Sequence, residues 1–326
     1  MKQITRQILV CTIIVAIGVA IFCAWVLLSG ENPLSTDYKE SGRQTIIEYA
    51  GKKYQYNEHL SNYLFLGIDT EDQLEGNQAP GTAGHADAIY LVSYDRVKKT
   101  VKCISIPRDT ITNIRYFAVD GTDLGYSKGH INIQYAYGDG KSESCQLMKE
   151  AIQELLPNVS IQGYCAINMD GIPIAVKNVG GVQLVVPDDS LEKENPEFKK
   201  GATVVITEQN VEQFVRYRDT QIAHSANTRT ERQKVFLEAF VETSKIQARA
   251  EENFIVDMYE ELKPHIVTNI GNDIFAKLLQ AESELGDLFY DIPGKRVDGM
   301  NFDEYHINEE ELFEMILQIF YEETEK

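Results

Sequence analysis

A surplus of basic residues is missing from this chain. Its 326 residues include 31 lysines and arginines against 50 aspartates and glutamates, a formal net charge of -19. A nucleic-acid backbone would be repelled by such a surface, which excludes nonspecific nucleic-acid binding as a general function. Cysteine is scarce as well. Of the five, Cys11 and Cys23 lie in an apolar N-terminal run, leaving Cys103, Cys145 and Cys165. One disulfide with a free thiol and three buried thiols both fit that odd number. There is no CxxC pair, no Cys/His metal spacing, no Walker P-loop, no GxSxG elbow and no HExxH, and the six histidines are scattered. These absences argue against Ser/His nucleophilic chemistry and against a histidine-rich zinc site. No internal repeat or low-complexity block is present.

What is there begins with one long hydrophobic run. Ile8 to about Ser29 carries no charge and has the length of a bilayer span, roughly 20 residues. Lys2 and Arg6 precede it and Glu31 and Asp37 follow it, so the positive-inside rule leaves the N-terminus cytoplasmic. The Trp25-Val26-Leu27-Leu28 end lacks a small-x-small cleavage pattern, which favours an uncleaved single-pass anchor over a signal peptide. The expected organisation is a cytoplasmic stub at 1–7, a transmembrane helix at 8–29 and a tether with a small hairpin at 30–58. A catalytic core at 59–250 and a helical, acidic C-terminal part at 251–326 follow, all on the far side of the cell membrane.

The core opens with Tyr63 to Ile68, an apolar run that reads as a buried strand ending at Asp69. A Gly/Pro-rich loop leads to Asp87 and a second strand, Ala88 to Tyr94. The third runs from Val101 to Pro107 and ends at Arg108. If the three run antiparallel in order, Asp69, Asp87 and Arg108 fall on one rim of the sheet, where sites are usually built. Downstream, the pattern predicts helices over Ser144–Leu156, Gly171–Val179 and Thr230–Ala250, and strands over Ile161–Asn168 and Val182–Pro187.

The most charged stretch is Phe214 to Gln233, with Arg216, Arg218, Arg229 and Arg232. Arg216 and Arg218 sit two apart in a β-prone run, where a strand would project them from one face. Arg229 and Arg232 sit three apart where a helix would give them a common face. Forked guanidiniums in this number suit a multi-oxygen anion such as phosphate or pyrophosphate. Asp69 and Asp87 are a pair that could hold magnesium, a hard cation that bridges phosphate oxygens. Asp69 itself, or Asp219 beside Arg218, could activate a hydroxyl nucleophile. The chemistry that emerges is phosphoryl transfer, with arginines neutralising the shifting charge.

The ordered set GID (67–69), HADAIYLVS (85–93), SIPRDT (105–110), INIQYAYG (131–138), NMDG (168–171), GGVQLVVP (180–187), FVRYRDT (214–220) and RTERQ (229–233) resembles the LytR-CpsA-Psr family. The resemblance covers about residues 60 to 240. It implies a three-layer α/β/α fold with a central mixed sheet, behind a single transmembrane helix, and an apolar cavity for a polyprenyl chain. It also implies a phosphotransferase that moves a glycopolymer, such as a teichoic acid or capsular polysaccharide, from a polyprenyl-pyrophosphate carrier onto peptidoglycan. By it, Asp69 and Asp87 match the magnesium-binding aspartates, and Arg108, Arg216, Arg218, Arg229 and Arg232 match the arginines that grip the pyrophosphate. Three places depart from the family pattern. Glu71 and His85 stand where arginine is common, and HINIQYAYG carries His130, Ile133 and Gln134 in place of the usual KINHAYAYG. A hydrolase acting on the same bond and a non-catalytic polymer- or lipid-binding protein are the competing readings. An Asp87→Ala variant separates chemistry from binding.

Overall fold

The structure, a computed structural model, describes residues 46–71, 76, 78–217, 225–251, 253–271, 274, 277, 278, 281, 289–297 and 303–324. The expected transmembrane segment and tether lie outside these residues. Among the described residues no helix is long and apolar enough to cross a membrane.

The first element is the expected hairpin, β1 (Ile46–Tyr49) and β2 (Lys52–Tyr56). It turns on Ala50 and Gly51, both with positive φ, the turn geometry that matches strand twist. The strands that follow are β3 (Leu60–Ile68), β4 (Ala86–Asp95) and β5 (Thr100–Ser105), antiparallel in sequence order as expected. A second hairpin, β6 (Ile111–Phe117) and β7 (Asp123–His130), rises from the loop after Arg108 and returns through a 3-10 helix, Ile131–Tyr137. Helix α1 (Ser142–Leu155) follows. Its first turn is held by the Asp139 carboxylate, which accepts from the N–H groups of Lys141, Glu143 and Ser144. Then come β8 (Gly163–Asn168), α2 (Gly171–Asn178), and the paired strands β9 (Val182–Val185) and β10 (Thr203–Ile206).

Two expectations fail after this point. The run around Arg216 is not a strand but a short helix, α3 (Val211–Arg216). The Asn210 side chain accepts from the Thr207 N–H, while Val211, Phe214 and Val215, at helical spacing, bury their side chains. Packing overrides the β-preference of Phe, Val and Tyr. The part after residue 250, expected to be helical, is also mixed. Beyond α4 (Ser225–Ala250) it carries α5 (Phe254–Leu262), β11 (Ile266–Thr268), β12 (Phe289–Asp291), β13 (Gly294–Val297), β14 (Glu304–Ile307), α6 (Glu309–Phe320) and β15 (Tyr321–Thr324). These strands are three or four residues long, too short to show period-2 alternation.

The central sheet is mixed and six-stranded, in the order β11-β8-β3-β4-β5-β12. Strands β8 and β3 are parallel, as are β5 and β12, and the other neighbours are antiparallel. Side chains alternate between its faces. Tyr63, Phe65, Tyr90 and Val92 join one core with Val176, Phe214, Phe236, Phe240 and Met258. Leu64, Leu66, Ile89 and Leu91 join the other with Met148, Ile152, Ile316 and Phe320. With both faces covered by helices, β3 is apolar from Tyr63 to Ile68 on both faces, which explains why it reads as a run and not as an alternation. Cys103, Cys145 and Cys165 are buried and free, so the three-thiol alternative holds.

Candidate functional site

Strand order puts the chemistry on one rim. Asp69 leaves the end of β3, His85 leads into β4 and Arg108 follows β5 (all at the same edge of the antiparallel set). Strand β8 runs parallel to β3 with Asn168 opposite Ile68, which brings the NMDG segment to the same edge. A backbone bond from Met169 N–H to Thr70 O, 3.1 Å, ties it there.

The carboxylates are placed by backbone geometry. Between β3 and β4 the register slips at Gly67/Ile68: Ala88 pairs with Gly67 and Ala86 with Ile68, leaving Asp87 unpaired. Asp87 is thus the extra residue of a β-bulge, a device that re-aims one side chain at the end of a sheet. Asp69 is locked to His85 by three bonds. Its N–H donates to His85 O at 3.0 Å, its Oδ1 accepts from His85 N–H at 2.6 Å, and its Oδ2 lies 3.2 Å from His85 Nδ1. Gly84, with φ +83°, lets the loop close over this pair, since a Cβ there would lie 2.4 Å from Thr70 Cγ2.

Charge follows the contacts. Burial pushes the Asp69 carboxyl up, but the bonds from the His85 ring and N–H outweigh it and hold it below the usual range. The same hydrogen bond raises His85, opposed by burial and by Arg108 and helped by Asp87. Arg108 reaches Asp87 with an Nη1–Oδ2 distance of 2.6 Å and Asp109 with Nε–Oδ1 of 3.3 Å. Burial lowers Arg108, and the two carboxylates more than offset it, so its charge is secure. Arg108 and Asp87 keep 46% and 38% of their side chains exposed, so both remain open to a ligand.

The remaining arginines divide. Arg216, from the last turn of α3, lies 3.6 Å from Glu71 and 3.4 Å from Glu212. Glu71, two residues past Asp69, therefore meets one of the expected anion-binding guanidiniums. Arg232 does not join the rim. Its side chain is 1% exposed and its three nitrogens are committed. Nε donates to Phe214 O at 3.0 Å, while Nη1 and Nη2 make short bonds to Ser190 Oγ and Tyr217 O. Asp188 Oδ1 lies 3.5 Å away. Such a group is a strut between the 188–190 loop, the end of α3 and α4, not an open anion ligand as its spacing from Arg229 suggested. Arg218 and Asp219 lie outside the described residues, as does the side chain of Arg229.

Sequence reading missed Asp109, Asn168, His265 and Arg296. Asn168 Oδ1 accepts from Gly171 N–H at 3.2 Å and lies 3.2 Å from His265 Nδ1. Arg296 reaches Asp109 Oδ2 at 2.7 Å. Asp109 and Asn168 lie within the motifs SIPRDT and NMDG and could have been singled out there, whereas nothing local marks His265 or Arg296.

Among the described residues no three or more His, Cys, Asp or Glu converge as a protein-only metal cage requires. Magnesium asks less, taking one or two carboxylates and completing its shell with phosphate oxygens and water. Asp69, with its carboxyl held low, and Asp87, aimed by the bulge, fit that need.

Comparison with known proteins agrees with the fold. The LytR_cpsA_psr family model matches residues 26–318, and the chain belongs to that family. It is 28% identical over 243 residues to the polyisoprenyl-teichoic acid–peptidoglycan teichoic acid transferase TagV of Bacillus subtilis, covering 73% of this chain and 55% of TagV. It is 29% identical over 189 residues to TagU of Bacillus anthracis, covering 58% of this chain and 54% of TagU. The chain thus spans about half the length of the curated relatives it matches. Among solved structures, protein gbs0355 of Streptococcus agalactiae superposes with a TM-score of 0.60 at 18% identity, covering 81% of this chain and 90% of that one. TagT bound to LI-WTA superposes with 0.57 at 22%, covering 80% and 90%. At these identities the structures speak for the fold.

Proposed function

We propose that this chain is a magnesium-dependent phosphotransferase that moves a glycopolymer from a polyprenyl-pyrophosphate carrier onto peptidoglycan. It would act outside the cell membrane, held by an anchor at residues 8–29 with a cytoplasmic N-terminus. The observation that carries the reading is the Asp87–Arg108 pair at the bulge, with ionised Asp69 beside it. Family membership supports it, as do the transferase activities for which TagV and TagU are named. The sheet covered on both faces by helices supports the three-layer α/β/α reading.

Asp69 and Asp87 would hold the magnesium, whose chemistry is to screen phosphate charge as it shifts. Arg108 donates to the phosphate oxygens from its remaining N–H groups, and Arg216 does so once Glu71 and Glu212 yield it. In the transfer an acceptor hydroxyl oxygen bonds to the sugar-bearing phosphorus. The bond from that phosphorus to the bridging oxygen breaks, polyprenyl phosphate departs, and the hydroxyl proton passes to a base. Asp69, already tied to His85 and held low in pKa, is a weak base, which leaves Asp219 the better candidate for that proton.

The test incubates the full-length chain with a polyprenyl-pyrophosphate sugar and a peptidoglycan oligomer, with and without magnesium. Mass spectrometry follows polyprenyl phosphate and the phosphodiester-linked product. Release that needs metal, couples to the acceptor and is lost in Asp87→Ala supports the transferase. Release without acceptor means a hydrolase, and lipid retention with no release means a binding protein.

A further inference from the structure

The rim loop after β5 is braced by a hairpin from nearly two hundred residues further along the chain. Strands β13 and β14 pair from Gly294↔Ile307 to Val297↔Glu304. Tyr305 N–H donates to Asp109 O at 2.8 Å, and Tyr305 also forms a bridge with Thr110. From β13, Arg296 places Nη1 2.7 Å from Asp109 Oδ2, while Asp109 Oδ1 lies 3.3 Å from Arg108 Nε. Arg108 Nη1 then lies 2.6 Å from Asp87 Oδ2. Four charges alternate in sign along this line: Arg296, Asp109, Arg108, Asp87.

The division of Asp109 between two guanidiniums is the informative point. A carboxylate can take an arginine fork with both oxygens, the stronger arrangement. Here Arg296 occupies one oxygen, Arg108 approaches the other most closely through Nε, and its Nη1 is turned to Asp87. Without Arg296, Asp109 would be free to close a two-pronged pair with Arg108 and draw it off the rim.

We propose that Arg296 is a positioning residue that, by sharing Asp109, keeps the Arg108 guanidinium turned toward the anion site. This rests on the anion-binding reading of the rim given above. It places the C-terminal hairpin in the working machinery and not merely under it.

The experiment titrates inorganic pyrophosphate into the full-length chain in detergent, reading affinity by calorimetry and the Arg108 Nε–Hε resonance by NMR, assigned through Arg108→Lys. Arg296→Gln is expected to weaken pyrophosphate three- to tenfold with Tm unchanged, and to shift the Arg108 resonance. Arg296→Lys should restore both, since a lysine can still occupy one oxygen of Asp109. In an Asp109→Asn background Arg296→Gln should add nothing, because its action runs through Asp109. Unchanged affinity and resonance in Arg296→Gln would overturn the proposal. So would a loss that follows Tm and resists rescue by lysine, or one that is additive with Asp109→Asn, the mark of simple charge. If the wild type binds no pyrophosphate, the anion-site reading fails, and the Arg108 resonance alone decides whether Arg296 positions it.

Discussion

The rim and the interior treat charged side chains in opposite ways. At the rim, Arg108 and Asp87 are partnered yet half open, and the carboxylates beside Arg108 keep its guanidinium charged. Inside, Arg232 is sealed, donating to two backbone carbonyls and a serine. Asp291 is the interior's acidic counterpart. Its Oδ1 is buried without a hydrogen-bond partner, and burial raises its carboxyl to about 7. Residue type alone does not assign a role: an arginine with a fixed set of backbone partners is architecture, and one half open beside carboxylates at a bulge is available to a ligand.

This contrast can be broken experimentally. The largest effect belongs to Arg232→Met, which strands the Phe214 and Tyr217 carbonyls and the Asp188 carboxylate. Removing one member of a buried ionic network costs about 3–5 kcal/mol, to be read from urea denaturation. A loss below about 1 kcal/mol would return Arg232 to the list of anion ligands. Next is Asp291→Asn. The folded-state pKa lies above the unfolded value, so the folded chain holds its proton longer. The stability this lends is complete below about pH 4 and is lost as pH rises through about 7, amounting to at most about 4 kcal/mol. The asparagine variant should flatten that slope in melts taken from pH 4 to 8. An unaltered slope would show that Asp291 has a partner in solution.

The rim supplies the other half of the comparison. Arg108→Met should leave denaturation within about 1 kcal/mol, as for other exposed pairs. Turnover of the lipid-linked sugar should fall by about a hundredfold, the usual cost of removing one stabiliser of developing charge. If stability falls instead, the distinction between rim and interior collapses. The smallest effect is Glu71→Gln. Freeing Arg216 from an exposed carboxylate is worth about 0.2–1 kcal/mol, so pyrophosphate affinity should rise by no more than about fivefold. A fall would mean that Glu71 helps to hold the ligand.

Much of the rim was legible in the sequence. Three consecutive strands most often pair in order, which leaves few topologies, and Asp69, Asp87 and Arg108 sat at their ends. The bulge that aims Asp87 was barely legible, because Gly67 is its one local mark and an isolated strand glycine does not say which partner residue is extra. Arg216 was placed on the wrong element because Phe214, Val215 and Tyr217 prefer strands, while the helix depends on a core those residues reach only in the folded chain. Arg232 was misassigned for a related reason. Spacing of three from Arg229 fixes a direction around α4, but the carbonyls that claim it belong to Phe214 and Tyr217. The hairpins of β6 with β7 and of β13 with β14 each carry a local signal in their connection, Asp120-Gly121 and Asp298-Gly299; β11 and β12 carry none of comparable strength.

Both edges of the central sheet, β11 and β12, are laid down by the last quarter of the chain. During synthesis the inner strands β8, β3, β4 and β5 exist well before either neighbour emerges. A nascent or truncated chain ending near residue 250 would therefore present two bare, apolar strand edges, the surfaces on which unrelated chains stack into aggregates. The order of arrival makes the tail the step that renders the protein safe in a crowded compartment. A fragment cut to the motif-bearing residues 60 to 240 would be the wrong unit to express.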